Sequence, residues 1–166
     1  MSDDNAKQGS SNGRGAHWER LSVFVGRWRA EGESYAAGQI AQDPRASRVA
    51  WASDESYEWL PGGFFLLHQW DAMVGSYPFK GTEILGYDER KGGYFTQLFD
   101  NAGHHAEYRV TVEGNTWFFT EEATRAAATI SDDRDRIMLK WEWRNAGADW
   151  LPLCEREARR IPARAR

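Results

Sequence analysis

Three side chains in the sequence combine a group that can transfer protons with apolar neighbours: His68, Glu83 and Tyr108. In an alternating segment His68 shares one side with Trp70, and in a later segment Tyr108 shares a side with Val110. A carboxyl group such as Glu83, enclosed among aromatic rings, is disfavoured in its charged form and can serve as a general acid or base. These three residues are therefore the candidate catalytic groups, although the alternation leaves open which side of its strand Glu83 occupies.

A buried network of hydrogen bonds and ion pairs is the favoured interpretation of the same residues, because buried polar groups are normally partnered. The arginines available for such a network include Arg109, Arg125 and Arg156. An arginine that faces inward would instead predict a ligand with a carboxylate, since a guanidinium matches a carboxylate in two parallel hydrogen bonds. Arg156, late in the chain, is the candidate for that role.

Aromatic side chains supply the other candidate ligand-binding residues. The chain has 166 residues with 9 Trp, 6 Tyr and 8 Phe, yet its mean hydropathy is -0.72. The rings must therefore be concentrated in one part of the fold, where Trp and Tyr offer apolar area and one hydrogen-bonding group each. Most are expected to fill a core, and a subset to line a pocket. The candidate ligand-binding residues are Trp28, Trp70, Gln97, Trp141, Trp143 and Arg156.

No metal site or cofactor is predicted. The histidine pair His104 and His105 falls at the start of an expected strand, where adjacent side chains point to opposite faces and do not readily share a metal ion. Close to a turn that restriction relaxes, so a zinc site completed by His68 or Glu107 stays an alternative. Cys154 is the single cysteine of the chain, which excludes an intramolecular disulfide and a Cys-x-x-Cys zinc site.

Composition disfavours several classes of function. With 21 Lys and Arg against 25 Asp and Glu, the net charge of -4 provides no basic field for phosphate backbones, so nucleic-acid binding is not expected. No run approaches eighteen apolar residues, and the polar N-terminal segment lacks the order of a signal peptide, which predicts a cytoplasmic protein that does not enter a membrane. No nucleophile elbow, P-loop or dinucleotide-binding motif is present.

Alternation of apolar and polar residues recurs from Gly26 onward and predicts about ten strands. Short turn sequences separate the strands, and none is long enough to hold a crossover helix. The predicted fold is therefore all-β, an antiparallel meander that closes into a barrel and leaves no exposed edge. A short capping helix is predicted over residues 17–24. The predicted strands cover residues 27–34, 49–59, 64–73, 79–87, 94–99, 104–112, 116–121, 125–131, 137–144 and 150–159.

The predicted domain organisation is one barrel domain over residues 16–161. Residues 1–15, which are polar and contain no aromatic group, are predicted to form a disordered tail, and residues 162–166 a basic C-terminal tail. The longest polar connection, residues 36–47, is expected to form a flap over one mouth of the barrel. A barrel of about ten strands has more interior than a compact core requires, so room for a ligand is expected.

Three stretches of the sequence resemble known families. Gly26-Arg27-Trp28, preceded by the short helix and extended by Gly32, resembles the opening strand of calycin-type barrels, which include lipocalins, fatty-acid-binding proteins and nitrobindins. The sequences PGGFF at 61–65 and PFKGTEILGYD at 78–88 resemble the bacterial family catalogued as domain of unknown function 1579. Together with later strands in the expected order, the resemblance covers residues 18–160. It implies a nitrobindin-like barrel with an internal cavity and a general role in binding small apolar molecules.

The resemblance to nitrobindins does not extend to their haem. Nitrobindins bind haem through a histidine near the end of the chain, whereas the last histidine here is His105 and the closing strand offers only Cys154. No obligatory cofactor is therefore expected.

The leading hypothesis is a barrel that binds a small, mostly apolar ligand, aromatic or carboxylated in type. The alternative is a cofactor-free isomerase, cyclase or lyase that uses His68, Glu83 or Tyr108, and a barrel filled by its own side chains is the third hypothesis. An apolar outer strand face within residues 64–67 also favours a homodimer.

Overall fold

The computed structural model describes residues 15–163 of the chain. The predicted disordered tail at residues 1–15 lies outside the described residues except for Gly15, and so does most of the predicted C-terminal tail. Within the described range, a short helix and a 3₁₀ turn at Ser22–Phe24 lead into an unbroken succession of strands. The elements are α1 (Ala16–Leu21), β1 (Gly26–Ser34), β2 (Val49–Trp59), β3 (Phe65–Val74), β4 (Tyr77–Asp88), β5 (Gly93–Asp100), β6 (His105–Glu113), β7 (Thr116–Thr120), β8 (Thr124–Ile130), β9 (Arg136–Trp143) and β10 (Leu151–Ile161).

The ten strands form one closed barrel in which every neighbouring pair is antiparallel. Each strand pairs with the next along the chain, and β10 returns to pair with β1, so the sheet has no free edge. The prediction of an antiparallel meander barrel of about ten strands with a short N-terminal helix is confirmed. Tight turns join consecutive strands of the meander. Gly114, with a φ of 57°, adopts the left-handed conformation that the two-residue connection between β6 and β7 requires.

Alternation along each strand decides which side chains enter the barrel. In β2 the inward positions are Trp51, Ser53, Glu55 and Tyr57, all buried, and the residues between them are partly or fully exposed. The same period-two pattern runs through β3, β6 and β8. Most charged residues therefore occupy the outer face, with Glu55 as an exception on β2, which reconciles a polar sequence with an aromatic interior.

One end of the barrel, here called the closed end, is covered by α1 and the 3₁₀ turn. Trp28 is completely buried there, and its Nε1 donates a hydrogen bond of 2.8 Å to the Phe24 carbonyl oxygen. The Arg160 guanidinium lies 4.1 Å from the centre of the Trp28 ring and donates to the carbonyl oxygens of Val23 and Val25. These contacts tie the last strand to the N-terminal segment and complete the apolar core of this end.

The opposite end, here called the mouth, carries the long connection between β1 and β2. Within residues 35–48, the Gln39 amide donates to the Pro152 carbonyl oxygen at 2.6 Å and accepts from Trp143 Nε1 at 2.7 Å. Arg45 forms an ion pair with Glu155 on β10. The connection is thus fastened to β9 and β10 on one side of the mouth. No helix among the described residues is long and apolar enough to span a membrane.

Candidate functional site

Four charged or titratable side chains meet inside the barrel at mid-height. Glu55 on β2, His68 on β3, Glu83 on β4 and Arg156 on β10 occupy inward positions and are only 4%, 5%, 6% and 9% exposed, respectively. They are called the polar layer below. The register of the sheet brings two of them side by side, because His68 is paired directly with Glu83 across β3 and β4. Charged groups are rarely buried unless they are paired, so this layer is the most unusual feature of the interior.

His68 lies between the two carboxylates of the polar layer. Its Nδ1 is 3.0 Å from Glu83 Oε2, and its Nε2 is 3.2 Å from Glu55 Oε2. A carboxylate is an acceptor, so both ring nitrogens donate only when the imidazole is protonated. Burial opposes that charge, but the hydrogen bonds to Glu55 and Glu83 outweigh it and raise the pKa of His68.

Glu55 is the most heavily partnered member of the layer. Its Oε1 accepts a 2.8 Å hydrogen bond from Ser53 Oγ and lies 3.6 Å from Arg156 Nε. Burial would raise the pKa of Glu55, but the charge of Arg156 and the hydrogen bond from His68 reverse this and lower it to about 2. Glu55 is therefore ionised at neutral pH and serves as the counterion of both cations.

Aromatic rings flank the polar layer. Tyr57 stacks on His68, with 3.9 Å between ring centres and 5° between planes, and burial raises the pKa of Tyr57 well above its ordinary value. On the mouth side Trp70 lies 5.3 Å from His68, and the Arg156 guanidinium lies 4.5 Å from the centre of the Trp51 ring. The rings shield the charges from water and so strengthen the ion pairs.

Trp70 depends on a glycine on the neighbouring strand. A Cβ atom at Gly81 would lie 1.9 Å from the Trp70 ring, so only glycine leaves room for it. Trp70 and Gly81 are register partners on the neighbouring strands β3 and β4. This pairing keeps the Trp70 ring flat against β4, next to the strand position that carries Glu83.

Several buried polar atoms of the described residues have no hydrogen-bond partner there. One is the second oxygen of Glu83, Oε1, and another is the Arg156 Nε, whose nearest acceptor is the Glu55 oxygen 3.6 Å away. Unpartnered buried groups are rare in proteins and each requires an explanation. In the polar layer and the mouth half, the buried side-chain atoms of the described residues that lack a hydrogen-bond partner are Trp70 Nε1, Glu83 Oε1, Thr96 Oγ1, Trp141 Nε1 and Arg156 Nε.

The predicted catalytic residues are only partly brought together. His68 and Glu83 are in direct contact, whereas Tyr108 lies on β6 and is paired with Thr96 rather than with the row of Glu83. Burial raises the pKa of Tyr108 to about 12, and its ring packs edge-on against Trp141 at 5.5 Å. Tyr108 therefore belongs to the wall of the interior.

Two of the predicted ligand-binding residues lie elsewhere. Gln97 was expected inside, but the inward residue of β5 is Thr96, so Gln97 is exposed on the outer face, 3.4 Å from Glu107 Oε2. Trp28 does face inward, yet Phe24 and Arg160 cover it in the core of the closed end. The inward orientation expected of Gln97 is therefore wrong, whereas that of Trp28 agrees with the structure, which places its ring in the core of the closed end.

The other predicted ligand-binding residues face the mouth half of the interior. Trp70 and Arg156 are buried, and Trp141 and Trp143 keep partial exposure at the end of β9. Glu55 was missed by the sequence analysis. The alternation Trp51, Ser53, Glu55, Tyr57 could have revealed it, because it places a carboxylate on an aromatic face.

The remaining titratable candidates do not form a metal centre. His104 is exposed at a turn and lies 3.2 Å from Asp100 Oδ2, while His105 stacks on Phe99 on the outer face. Within residues 15–163, no three His, Cys, Asp or Glu side chains converge as metal ligands. In the polar layer the reason is geometric: the two carboxylates contact opposite nitrogens of His68, so they cannot share one ion with it.

Two further pockets open on the barrel. A groove of about 610 Å³ runs along β1 to β5 and is lined mainly by outward side chains such as Gln69, Lys80 and Phe99, but it also reaches Glu55 and Trp70. A smaller pocket of about 370 Å³ lies between α1 and the hairpin turns at the closed end.

Comparisons with known proteins agree with the barrel. Rv2717c from M. tuberculosis superposes with a TM-score of 0.64 at 13% identity, over 89% of this chain and 99% of that one. The S-type phycobiliprotein lyase CPES from Guillardia theta gives 0.59 at 13% identity, over 92% and 97%. Zebrafish ileal bile acid-binding protein, complexed with cholic acid, gives 0.53 at 13% identity, over 84% and 100%.

At these identities the likeness establishes a calycin-like fold. No curated protein matches the sequence. A protein-family model does match, over residues 14–160, and its description is a protein of unknown function (DUF1579). This chain, with its closed ten-stranded barrel, is therefore a member of the DUF1579 family.

Proposed function

We propose that the protein binds a small, mostly apolar ligand in the mouth half of the barrel, above the polar layer. The observation that carries the proposal is the set of unpartnered buried polar atoms, among them Glu83 Oε1, Trp70 Nε1 and Trp141 Nε1. Donors and acceptors kept free on an aromatic wall are typical of ligand sites, where a few placed polar groups orient an otherwise apolar molecule.

Short side chains on the inner face leave space for a ligand, and partly exposed inner residues indicate that the space is accessible. Ala72 and Thr96 are buried inward positions with short side chains beside the polar layer. Leu98, Ala106 and Trp141 also face inward but keep partial exposure, as expected for an opening between β5, β6 and β9. A ten-stranded barrel is also wider than the eight-stranded barrels that side chains fill completely.

The comparisons also support a ligand-binding role. Zebrafish ileal bile acid-binding protein, a barrel of this fold, is complexed with cholic acid. The ligand class proposed for the present chain rests on its own residues.

Proton transfer is the second candidate function, and one observation favours it. Glu83 Oε1 is a buried carboxylate oxygen with no partner in the described structure, and its other oxygen is held by His68. A carboxylate positioned in this way can act as a general base in a cofactor-free isomerase, cyclase or lyase. Glu83-dependent cleavage of 5-nitrobenzisoxazole, a generic substrate for proton abstraction, would support this function, and cleavage that is equal in Glu83→Gln would contradict it.

The binding proposal is tested with the fluorescent probe N-phenyl-1-naphthylamine and two matched variants. Ala106→Phe places a ring in the inner mouth, and His105→Phe places the same ring one residue earlier on the outer face. We expect saturable enhancement of probe fluorescence in the wild type and in His105→Phe, and loss of at least tenfold in affinity in Ala106→Phe.

Circular dichroism and urea unfolding establish that both variants are folded. If Ala106→Phe folds and binds the probe as well as the wild type, the ligand site is not in the mouth. If Ala106→Phe cannot fold while His105→Phe does, the interior is already filled and the proposal is wrong. If the probe binds as expected, native mass spectrometry of protein purified from its own organism would identify a natural ligand that co-purifies.

A further inference from the structure

The charge inside the barrel is already balanced before any ligand binds. Two carboxylates, Glu55 and Glu83, contact two cationic groups, His68 and Arg156. Each ring nitrogen of His68 faces a carboxylate oxygen, an arrangement that only the protonated imidazole satisfies with two donated hydrogen bonds, and these contacts raise the pKa of His68 against the opposing effect of burial. An additional buried negative charge would have no free counterion in the polar layer, and unpaired buried charges are strongly disfavoured.

Arg156 is poorly suited to receive a carboxylate from a ligand. Its Nε faces Glu55 Oε1 at 3.6 Å, its Nη1 donates to Cys154 Sγ at 3.3 Å, and the face of its guanidinium covers Trp51. The positive charge of Arg156 is already matched by Glu55, so a ligand carboxylate at this position would add a negative charge without a further cation. The sequence-based expectation of a carboxylated ligand held by Arg156 is therefore not supported by this geometry.

Glu83, in contrast, is well suited to contact a ligand. Its Oε2 accepts from His68 Nδ1, which fixes the carboxylate in place, and its Oε1 is buried with no partner among the described residues. A carboxylate oxygen can only accept, so only a group with an N–H or O–H bond satisfies it. Trp70 Nε1 on β3 and Thr96 Oγ1 on β5, the two strands that flank β4, are also buried without a partner in the described structure and can each donate to an acceptor.

We propose that Glu83 determines the specificity of the barrel and that its ligand is an aromatic alcohol or amine, which donates a hydrogen bond to Glu83 Oε1. This inference rests on the proposed binding function and adds the chemical class of the ligand. Carboxylates are excluded by the balanced charge of the polar layer, and molecules without a donor leave Glu83 Oε1 unsatisfied. Glu55 and His68 act through Glu83 by holding its charge and orientation.

Four ligands with one ring system test the inference on the wild-type protein by isothermal titration calorimetry at pH 7. These are 2-naphthol, 2-naphthylamine, which is uncharged at this pH, 2-methoxynaphthalene and 2-naphthoate. We expect 2-naphthol or the amine to bind about tenfold more tightly than the methoxy compound, which lacks a donor, because hydrogen bonds to a charged acceptor are the strong ones. We expect 2-naphthoate to bind most weakly.

A variant pair assigns the effect to Glu83. Glu83→Gln removes the charge of the inner carboxylate, and Glu107→Gln removes that of an exposed carboxylate on the outer face of β6. Glu83→Gln is expected to weaken 2-naphthol about tenfold and to change the methoxy compound little, whereas Glu107→Gln leaves both unchanged.

The outcomes separate the class of ligand from the existence of the site. Equal affinity for 2-naphthol and 2-methoxynaphthalene, or tightest binding of 2-naphthoate, overturns the role of Glu83 while probe binding at the mouth stands. Failure of all four ligands, together with unchanged N-phenyl-1-naphthylamine binding in Ala106→Phe, overturns the binding function itself.

Discussion

Two tryptophans on the inner face of the barrel have opposite surroundings. At the closed end, Trp28 donates its N–H to Phe24 and lies under the guanidinium of Arg160. Toward the mouth, Trp70 packs against Gly81, and its buried N–H has no partner in the described part of the chain. Trp18 Nε1 is the one buried polar side-chain atom of the described closed end without a hydrogen-bond partner, whereas the polar layer and the mouth half hold five such atoms among the described residues, at a cost in stability. This difference indicates that the closed end stabilises the barrel and the mouth half recognises a ligand.

The largest loss of stability is expected from Trp28→Ala. Removing a completely buried indole leaves a cavity and a guanidinium without its ring, so the free energy of unfolding should fall by about 4 kcal/mol. Phe99→Ala, on the exposed outer face, is the control and should change it by less than about 0.5 kcal/mol. Urea unfolding followed by tryptophan fluorescence measures both. A loss at Trp28 no larger than that at Phe99 would contradict the stabilising role of the closed end.

Substitutions in the polar layer should lower the free energy of unfolding slightly less than Trp28→Ala does. Glu55→Gln removes the counterion of His68 and Arg156 and is expected to lower the free energy of unfolding by about 3 kcal/mol. Arg156→Met alone should be similarly harmful, and the double variant should lose less than the sum of the two, because neither charge is then left alone. Additive losses in this double-mutant cycle would mean that Glu55 and Arg156 do not interact.

The pH dependence of stability has a defined sign. Because the pKa of Glu55 falls from 4.5 to about 2 on folding, its contribution is present above pH 4.5 and is lost as the pH falls toward 2. From this residue alone, unfolding at pH 3 should require about 2 kcal/mol less than at pH 6. The raised pKa of His68 acts in reverse: its contribution is complete below pH 6.5 and is lost as the pH rises through the pKa of the folded state. In Glu55→Gln the acid-side slope should be shallower, and an unchanged slope would exclude Glu55 as its source.

A gain in stability is expected at one unpartnered group. Thr96→Val replaces a buried hydroxyl without a partner in the described structure by a methyl group of similar size, which should stabilise the barrel by about 0.5 to 1 kcal/mol. Thermal unfolding compares Thr96→Val with Thr111→Val, an exposed threonine of β6. Destabilisation by Thr96→Val beyond that of Thr111→Val would show that the hydroxyl is already satisfied.

The smallest effect is expected at Gln97. Its side chain is exposed on the outer face and reaches Glu107 only at 3.4 Å, so Gln97→Ala should change the free energy of unfolding by less than about 0.5 kcal/mol. Binding of N-phenyl-1-naphthylamine should be unchanged as well. A marked loss of probe affinity in this variant would move the ligand site to the outside of the barrel.

Much of the fold could be predicted because one rule, alternation with period two, applies along almost the whole chain. The β2 boundaries at residues 49 and 59 were predicted without error, and the other strands differ by one or two residues at their ends. Turn glycines marked the connections, as at Gly114. The alternation does not state which of two faces points inward when both carry rings, and for this reason Gln97 was assigned to the wrong face.

The site was harder to predict, because it depends on register between strands that are distant in the sequence. His68 contacts Glu83 because the short turn between β3 and β4 sets their pairing, so this contact could be predicted from the sequence. The link from Glu55 to Arg156 joins β2 to β10 through the closure of the barrel, which no local pattern encodes. The homodimer and the cytoplasmic location stay predictions; the exposed rings of Phe64 and Phe65 are the surface that a dimer would cover.

A crystal structure of the protein grown with 2-naphthol tests the central claim most directly. We expect the naphthalene ring inside the mouth half, between Trp70 and Trp141, with its hydroxyl within hydrogen-bond distance of Glu83 Oε1, about 2.5 to 3.0 Å. Electron density for the ring in the outer groove near Lys80, or an interior that holds only water at Glu83 with no naphthol, would contradict it.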